Sequence, residues 1–399
     1  MKIIVSGYMI RHPVTGNILA FLHYVMGFCR LGHEVVYVEE SGWSESCYQP
    51  STGMHSSDPE EGLRTLSSLM RRFDLHVQVC YVDRDSGATR GCSRADLKRQ
   101  LASADLLINI GGTCSLAEFA LCPRRVFIDM DPLFTQLGRF GAEDLKHYDV
   151  HFSYGANIGM PECTIPDAQI TWLPTCPPVV PDIWGAQPNG PVVDVSRRPL
   201  TTIGNWNAYG AIERDGVHYG QKDEEFLKLI DLPLRTEHKL ELALSGAGDK
   251  IINLLTSNGW AIRDADRVTL SWGSYASYIH RSRGEFSVAK NAYVKTVSGW
   301  FSDRSVCYLA SGRPVVLQNT GIDKWLPRNP AVLTFATLEE AVDRLNELAD
   351  DYPGRCRSAR EVAEGFFSHT VVLPRLLENA FRDCPTATAN TANGGGIER

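Results

Sequence analysis

The stretch Ser298-Gly-Trp-Phe-Ser-Asp-Arg-Ser305 runs into Tyr308-Leu-Ala-Ser-Gly-Arg-Pro-Val-Val316, and its residue types are those of an anion-binding corner. Ser302 is a good helix N-cap, and Asp303 falls in the first turn, where a carboxylate suits the positive helix end. Gly312 serves as the residue after the helix, ahead of Pro314. Gly299 lets the backbone approach a ligand, so amides around Trp300, Phe301 and the helix start can face phosphate oxygens while Arg304 adds charge. The same pattern also describes a capped surface helix between two core strands.

Just upstream, Ser282-Arg-Gly-Glu-Phe-Ser-Val-Ala-Lys290 offers Arg283, Glu285 and Lys290. A carboxylate there can accept two ribose or hexose hydroxyls, and a lysine is a point charge for phosphate; an internal Arg–Glu or Lys–Glu pair is the alternative. Gly204-Asn-Trp-Asn207 ends an apolar run, and Gly204 with Asn205 suits a diphosphate lying across a gap, or a plain turn. Lys222 opens the next helical pattern and either reaches a phosphate or is solvated.

The N-terminal half has its own candidates. The first apolar run ends at Gly7-Tyr-Met-Ile-Arg-His-Pro-Val-Thr-Gly-Asn17, a loop whose Thr15, Gly16 and Asn17 lead into a helix. Its glycines are too far apart for a dinucleotide fingerprint, which argues against NAD. His12 is placed to take a proton from a hydroxyl, or simply bonds to backbone. Ile128-Asp-Met-Asp-Pro132 puts Asp129 and Asp131 at a strand end, pointing the same way; they bind hydroxyls or act as base, or Asp131 caps the helix that starts at Pro132. Asn109-Ile-Gly-Gly-Thr113 follows another strand in the same fashion.

These residues need a frame to hold them. Period and punctuation predict, in order, a strand over 2–6, helix 18–30, strand 34–39, helix 59–73, strand 77–82, helix 94–103 and strands 106–110 and 125–130. After a proline cluster at 174–181, a second series follows: strand 200–203, helix 223–229, strand 240–244, helix 249–257, strand 268–270, helix 275–283, helix 303–310 and strands 315–318 and 331–335. Helices over 338–350, 355–367 and 371–382 close the chain. The alternation gives an α/β chain of two Rossmann-like doubly wound domains facing across a cleft. Their expected bounds are 1–180, a linker 181–198, a second domain 199–367, a C-terminal helix 368–384 that packs back on the first domain, and a disordered tail 385–399.

Composition limits the partners. With 399 residues, 40 Lys and Arg against 47 Asp and Glu, and a formal charge of −7, the chain lacks the basic field that nucleic-acid binding needs. At 43% hydrophobic and 22% charged residues it reads as a globular protein. Eleven scattered cysteines without paired spacing point to free thiols, no metal site and a cytoplasmic setting. No apolar run reaches transmembrane length, and the first residues read as a strand rather than a leader.

Taken together, 282–290, 298–305, 308–316 and Gln318-Asn-Thr-Gly321 resemble the donor half of bacterial two-domain (GT-B type) glycosyltransferases, in particular a family-1-like group carrying Gly-Trp-Phe-Ser-Asp-Arg. The resemblance covers the chain from about residue 200 onward; over the first domain it rests on architecture and on the Ile-Asp-Met-Asp-Pro corner. It implies a nucleotide-sugar donor held by the second domain, a small-molecule or glycan acceptor held by the first, and no cofactor or metal beyond the co-substrate. By position, Gly299, Trp300, Phe301 and Ser302 line the diphosphate, with Asp303, Arg304, Glu285 and Lys290 nearby. The chain departs from the pattern in lacking a glutamate inside the 303–310 helix, which leaves ribose to Asp303 or Glu285, and in having Val297-Ser298 where plant-type relatives carry His-Cys. The resulting expectation is sugar transfer from a nucleotide-diphosphate sugar to a hydroxyl or amine, with His12 or Asp131 as base. An epimerase on the same fold and a non-catalytic sugar-nucleotide or glycan binder are the alternatives.

Overall fold

The structure is a computed structural model that describes residues 1–139, 142–185 and 197–382. The first domain carries β1 (Lys2–Ser6), β2 (Glu34–Glu40), a hairpin of β3 (Cys47–Gln49) and β4 (Met54–Ser56), then β5 (Gln78–Val82), β6 (Thr89–Arg90), β7 (Leu106–Ile110), β8 (Arg125–Asp129), β9 (Val150–Ser153) and β10 (Trp172–Pro174). The sheet order is β10-β9-β8-β7-β1-β2-β5-β6, parallel except for the antiparallel β5–β6 pair. Strands such as β1 and β7 are buried on both faces by helices, which is why their sequences are unbroken apolar runs rather than alternating ones.

The second domain has β11 (Leu200–Asn205), a hairpin of β12 (Ile212–Arg214) and β13 (Val217–Tyr219), β14 (Leu240–Ser245), β15 (Ala261–Asp264), β16 (Gly284–Ser287), β17 (Val315–Gln318) and β18 (Val332–Phe335). Its order, β15-β14-β11-β16-β17-β18, is that of a doubly wound sheet. Strand order reverses beside β1 in one domain and beside β11 in the other. At such a reversal neighbouring connections leave for opposite faces and open a crevice outside the carboxyl ends of the strands. The two crevices face each other.

Several expectations need correction. Residues 268–270 are not a strand: the edge strand is β15, and Ala265–Thr269 is a helix capped by Asp264, whose side chain accepts from the Asp266 amide. The first sheet continues past residue 150 into β9 and β10, and Gly284–Ser287, given no element from the sequence, is a central strand. Cys80 and Cys92, expected as free thiols, form a disulfide with Cα atoms 5.3 Å apart, because the β5–β6 hairpin folds the chain back on itself. Within the 181–198 segment, Pro181–Trp184 is a 3-10 turn; residues 186–196, the tail 385–399 and the end of the 368–384 segment lie outside the described residues. No described helix is long and apolar enough to cross a membrane.

One apolar cluster runs through both domains. The helix Thr15–Arg30 packs against Trp272–Arg281 and Asp303–Ala310 of the second domain. Trp184, with no exposure, wedges against Trp272 and Tyr275 at ring separations of 4.9 and 6.2 Å. The helix His369–Phe381 lies on Thr15–Arg30 over Gly27, where a Cβ would come within 2.5 Å of Leu373 and 2.8 Å of His369. The cleft therefore has a fixed apolar floor beneath its polar walls.

The Gly7–Asn17 loop is set by a residue at the end of β2. Glu39, fully buried, accepts the consecutive amides of Met9, Ile10 and Arg11, each at 2.8 Å, and the Tyr37 hydroxyl. The Arg11 side chain, equally buried, lies 3.5 Å from Glu39 and donates to the carbonyls of Ser41 and Thr113. Burial pushes the Glu39 carboxyl up, against the pull of Arg11 and the amides. Removing Glu39 leaves the buried Arg11 charge uncompensated and orphans the Ile10 and Arg11 amides, while the Met9 amide keeps the Tyr37 hydroxyl at 3.0 Å. Glu39→Ala should lower stability by about 3 kcal/mol and speed hydrogen exchange at Ile10 and Arg11; unchanged protection at those amides would refute this role for Glu39.

Candidate active site

A cleft of about 730 Å³ lies between the facing carboxyl ends of the two sheets. Three cations reach it from the second domain, and they differ in what neutralises them. Arg304 is fully engaged: Nε donates to Glu285 at 2.6 Å, Nη1 to the Ile203 carbonyl at 2.8 Å and Nη2 to Ser287 at 2.7 Å. It thereby clamps β11 to β16 at the strand reversal. Lys290 donates to both Asp131 oxygens at 2.9 and 3.0 Å and to the Tyr209 hydroxyl, inside a ring of Phe134, Tyr209 and Tyr293 whose centroids lie 4.2–5.2 Å away. This pair crosses from one domain to the other.

Lys222 is the exception. It is the first residue of the helix Lys222–Lys228 and makes no hydrogen bond or ion pair among the described residues. Desolvation, helped by the positive charges of Arg304 and Lys290, pulls its pKa down to about 7. Its Nζ stands over Gly204 at the end of β11. The point where a Cβ would sit on Gly204 is 3.7 Å from Lys222 Nζ and 3.8 Å from Arg304 Nη1. The missing side chain leaves room where one anionic oxygen meets both cations, with Asn205 and Ser245 alongside in the lining.

The turn at Trp300 is built differently from the expected amide cradle. The Gly299 amide donates to the Thr320 carbonyl at 2.7 Å, its carbonyl accepts the Trp325 indole at 2.8 Å, and the Trp300 amide turns to Ser298 Oγ at 3.3 Å. Gly299, at φ +75°, is required because a Cβ would strike Asn157 of the first domain at 2.7 Å, not to admit a ligand. At the helix start, Ser302 Oγ and the Asp303 carboxylate take the Arg304 amide, and Asp303 also takes its own. Asp303, whose carboxyl is pushed up by burial and drawn back by Arg304 and Lys222, occupies the place given to phosphate. Phe301 is buried, stacked on Phe367 at 4.6 Å. Of this turn, Trp300, Asp303 and Arg304 line the cleft; Trp300 donates its indole N–H to the Met130 carbonyl at 3.2 Å.

Other candidates are also relocated. Arg283 lies at the opposite end of β16, donating to His238 and stacked over Tyr352, away from the cleft. Glu285 has no exposure and serves Arg304, so it is not open to sugar hydroxyls. Asp129 is buried and accepts from Thr135, Gln136, Ser153 and the Asp131 amide, which makes it an internal anchor. Asp131 does not share its direction and caps nothing with its side chain, which binds Lys290 and Tyr293. Thr15 is buried in the first helical turn.

On the first-domain wall, His12, Gly16 and Asn17 line the cleft as expected. Asn17 Nδ2 donates to the carbonyls of His12, at 2.8 Å, and Tyr8, fastening the loop on itself. The His12 ring makes no hydrogen bond among the described residues, and burial together with His55 lowers its pKa to about 4, so it is a neutral base with an available lone pair at pH 7. Sequence reasoning missed Tyr8, Tyr48, His55, Asp266 and Tyr275 in the lining. The turn signal Pro50-Ser-Thr-Gly53 between short polar-aromatic runs would have exposed the hairpin that brings Tyr48 and His55. Among the described residues no group of three or more His, Cys, Asp or Glu side chains is placed to hold a metal.

No family model and no curated protein matches the chain. Solved structures do resemble it. An α-glucosyltransferase in complex with UDP superposes with a TM-score of 0.59 at 13% identity, over 95% of this chain and 99% of that one; the α-glucosyltransferase also appears in complex with UDP and a 13-mer DNA. AviGT4, a glycosyltransferase involved in avilamycin A biosynthesis, gives 0.55 at 12% identity over 96% and 97%. Anabaena HepE in complex with UDP and glucose gives 0.54 at 11% over 95% and 99%. At these identities the likeness is one of fold, and the fold is the two-domain GT-B architecture.

Proposed function

We propose that the chain is a glycosyltransferase that moves a sugar from a nucleoside-diphosphate sugar to a hydroxyl acceptor, with the diphosphate at the Gly204–Lys222 corner. The observation that carries this reading is Lys222: a desolvated cation that makes no direct ion pair among the described residues, beside a glycine gap, at the strand reversal of the second domain. An anion at that spot meets both Lys222 and Arg304 across the Gly204 gap. That solved proteins of the same fold hold UDP supports the choice of anion.

In this scheme the acceptor hydroxyl gives its proton to the neutral His12 as its oxygen bonds to the anomeric carbon. The sugar–phosphate bond breaks with its electron pair on the departing diphosphate, where Lys222 and Arg304 stabilise the growing charge. Asp131, tied to Lys290, holds the domains together across the cleft rather than taking the proton. The cleft acts mainly by positioning and by excluding water.

Because the Lys222 ammonium persists only up to about pH 7, UDP binding above that pH must also take up a proton. Calorimetric affinity should be flat below pH 7 and then fall, approaching about tenfold per pH unit. Lys222→Met should bind UDP roughly tenfold to a hundredfold more weakly at pH 6 and show no such decline; a wild-type pH profile in that variant removes Lys222 from the donor site. Gly204→Val, which fills the gap, should abolish UDP binding without loss of fold by circular dichroism, and retained affinity would count against the corner. Once a donor is found by watching nucleotide release across a panel of nucleotide sugars, His12→Ala should cut turnover by about a hundredfold or more with UDP affinity unchanged. Epimerised donor in the absence of acceptor would replace the transferase reading altogether.

A further inference from the structure

The first-domain wall of the cleft carries a run of rings that the donor chemistry does not use. The β3–β4 hairpin pairs Tyr48 with His55 across its strands, and cross-strand partners share a face; their ring centroids are 5.4 Å apart. The Tyr48 amide donates to the Arg11 carbonyl at 2.7 Å, which sets the hairpin against the Glu39-held loop. Tyr48 then meets His12 at 5.2 Å, and His12 lies parallel to Tyr8 at 5.8 Å with 5° between planes. Beyond Tyr8, the Arg11 guanidinium is sandwiched at 4.6 Å from that ring and 5.3 Å from Trp43, an indole left 59% exposed. Exposed aromatics next to a cleft mark a contact surface.

Charge restricts what can lie there. The cations of the cleft lining, Lys222, Lys290 and Arg304, all belong to the donor end. Opposite Tyr48 and His55 stands Asp266, which together with Thr269 lines the far wall. A phosphorylated or polyanionic acceptor would meet a carboxylate and rings whose neighbouring cation, Arg11, is fully buried and paired with Glu39, whereas the face of a sugar ring or an arene stacks on aromatic side chains.

We infer that the rings of Tyr8, His12, Tyr48 and His55 form the acceptor platform, and that it takes an uncharged acceptor whose hydroxyl sits beside a flat C–H-rich or aromatic face. This inference rests on the glycosyl-transfer reading for the word acceptor, but its binding chemistry is tested separately. The nucleic acid held by a protein of the same fold is the kind of acceptor this wall disfavours.

The test is calorimetry on the full chain, with and without UDP, using octyl β-glucoside (sugar face), 4-methylumbelliferone (arene), p-nitrophenyl β-glucoside (both) and glucose 1-phosphate as the charged control. At least one neutral compound should bind, glucose 1-phosphate should not compete for the platform, and the first two separate a glycan-type from an aryl acceptor. Tyr48→Ala should weaken the neutral compound about tenfold, Tyr48→Phe should stay within about twofold because only the ring is used, and UDP affinity in both variants reports an intact donor site. The inference is overturned when no neutral compound binds the wild type, when Tyr48→Ala binds it equally well, or when Tyr48→Phe loses as much as Tyr48→Ala. Failure of UDP to bind the wild type would instead strike the donor reading and leave the platform to be judged by the titrations without UDP.

Discussion

A half-buried lysine ammonium that makes no direct ion pair among the described residues, at a corner shared with two other cations, is the constraint on which the site depends. Folding places Lys222 at the start of a helix, over a glycine and next to two other cations, where its charged form is disfavoured. Proteins normally relieve such a cost with a counter-ion, and the neighbouring charges here have one each. Arg304 has Glu285, and Lys290 has Asp131. Lys222 has only the pull of Asp303 and Glu285 from beyond ion-pair distance, and its corner is where a doubly wound sheet opens its crevice.

The rest of the architecture brings the first-domain wall to face that corner. The two strand reversals face each other because the domains share an apolar floor made of Trp184 and helices from both sides. Glu39 then fixes the loop that offers His12, and the hairpin fastened to that loop by the Tyr48 amide extends the wall outward. The two walls differ in chemistry: the second domain contributes Lys222, Lys290 and Arg304, the first the rings of Tyr8, His12, Tyr48 and His55. An ion pair at the back, Asp131 with Lys290, joins the walls where both meet.

The frame was legible in the sequence because its strands are buried on both faces; runs such as Leu106-Leu-Ile-Asn-Ile110 carry their own signal, and Gly312 and Ser302 punctuate a helix the structure reproduces at Asp303–Ala310. Edge elements were less legible. β15, Ala-Ile-Arg-Asp, is half polar because one side is open, so the apolar Val268 drew the strand assignment away from it. At the site, the sequence singled out the 298–305 turn, whose Gly299 and Trp300 amides the structure commits to Thr320 and Ser298. Whether the amide of Gly299 is available depends on Thr320, and whether its glycine serves a ligand depends on Asn157, residues distant in the chain. Hydrogen-bond allocation of this kind is a tertiary property. Lys222 was named on position, yet its distinction from Arg304 and Lys290 comes only from counting partners in three dimensions.

The most direct measurement is a crystal structure of the chain with UDP. The account requires the β-phosphate in the Gly204 gap, with an oxygen in hydrogen-bond contact with Lys222 Nζ and the Trp300 turn unchanged. A diphosphate bound instead to opened amides at Gly299–Asp303, with Lys222 left without a contact, would contradict it.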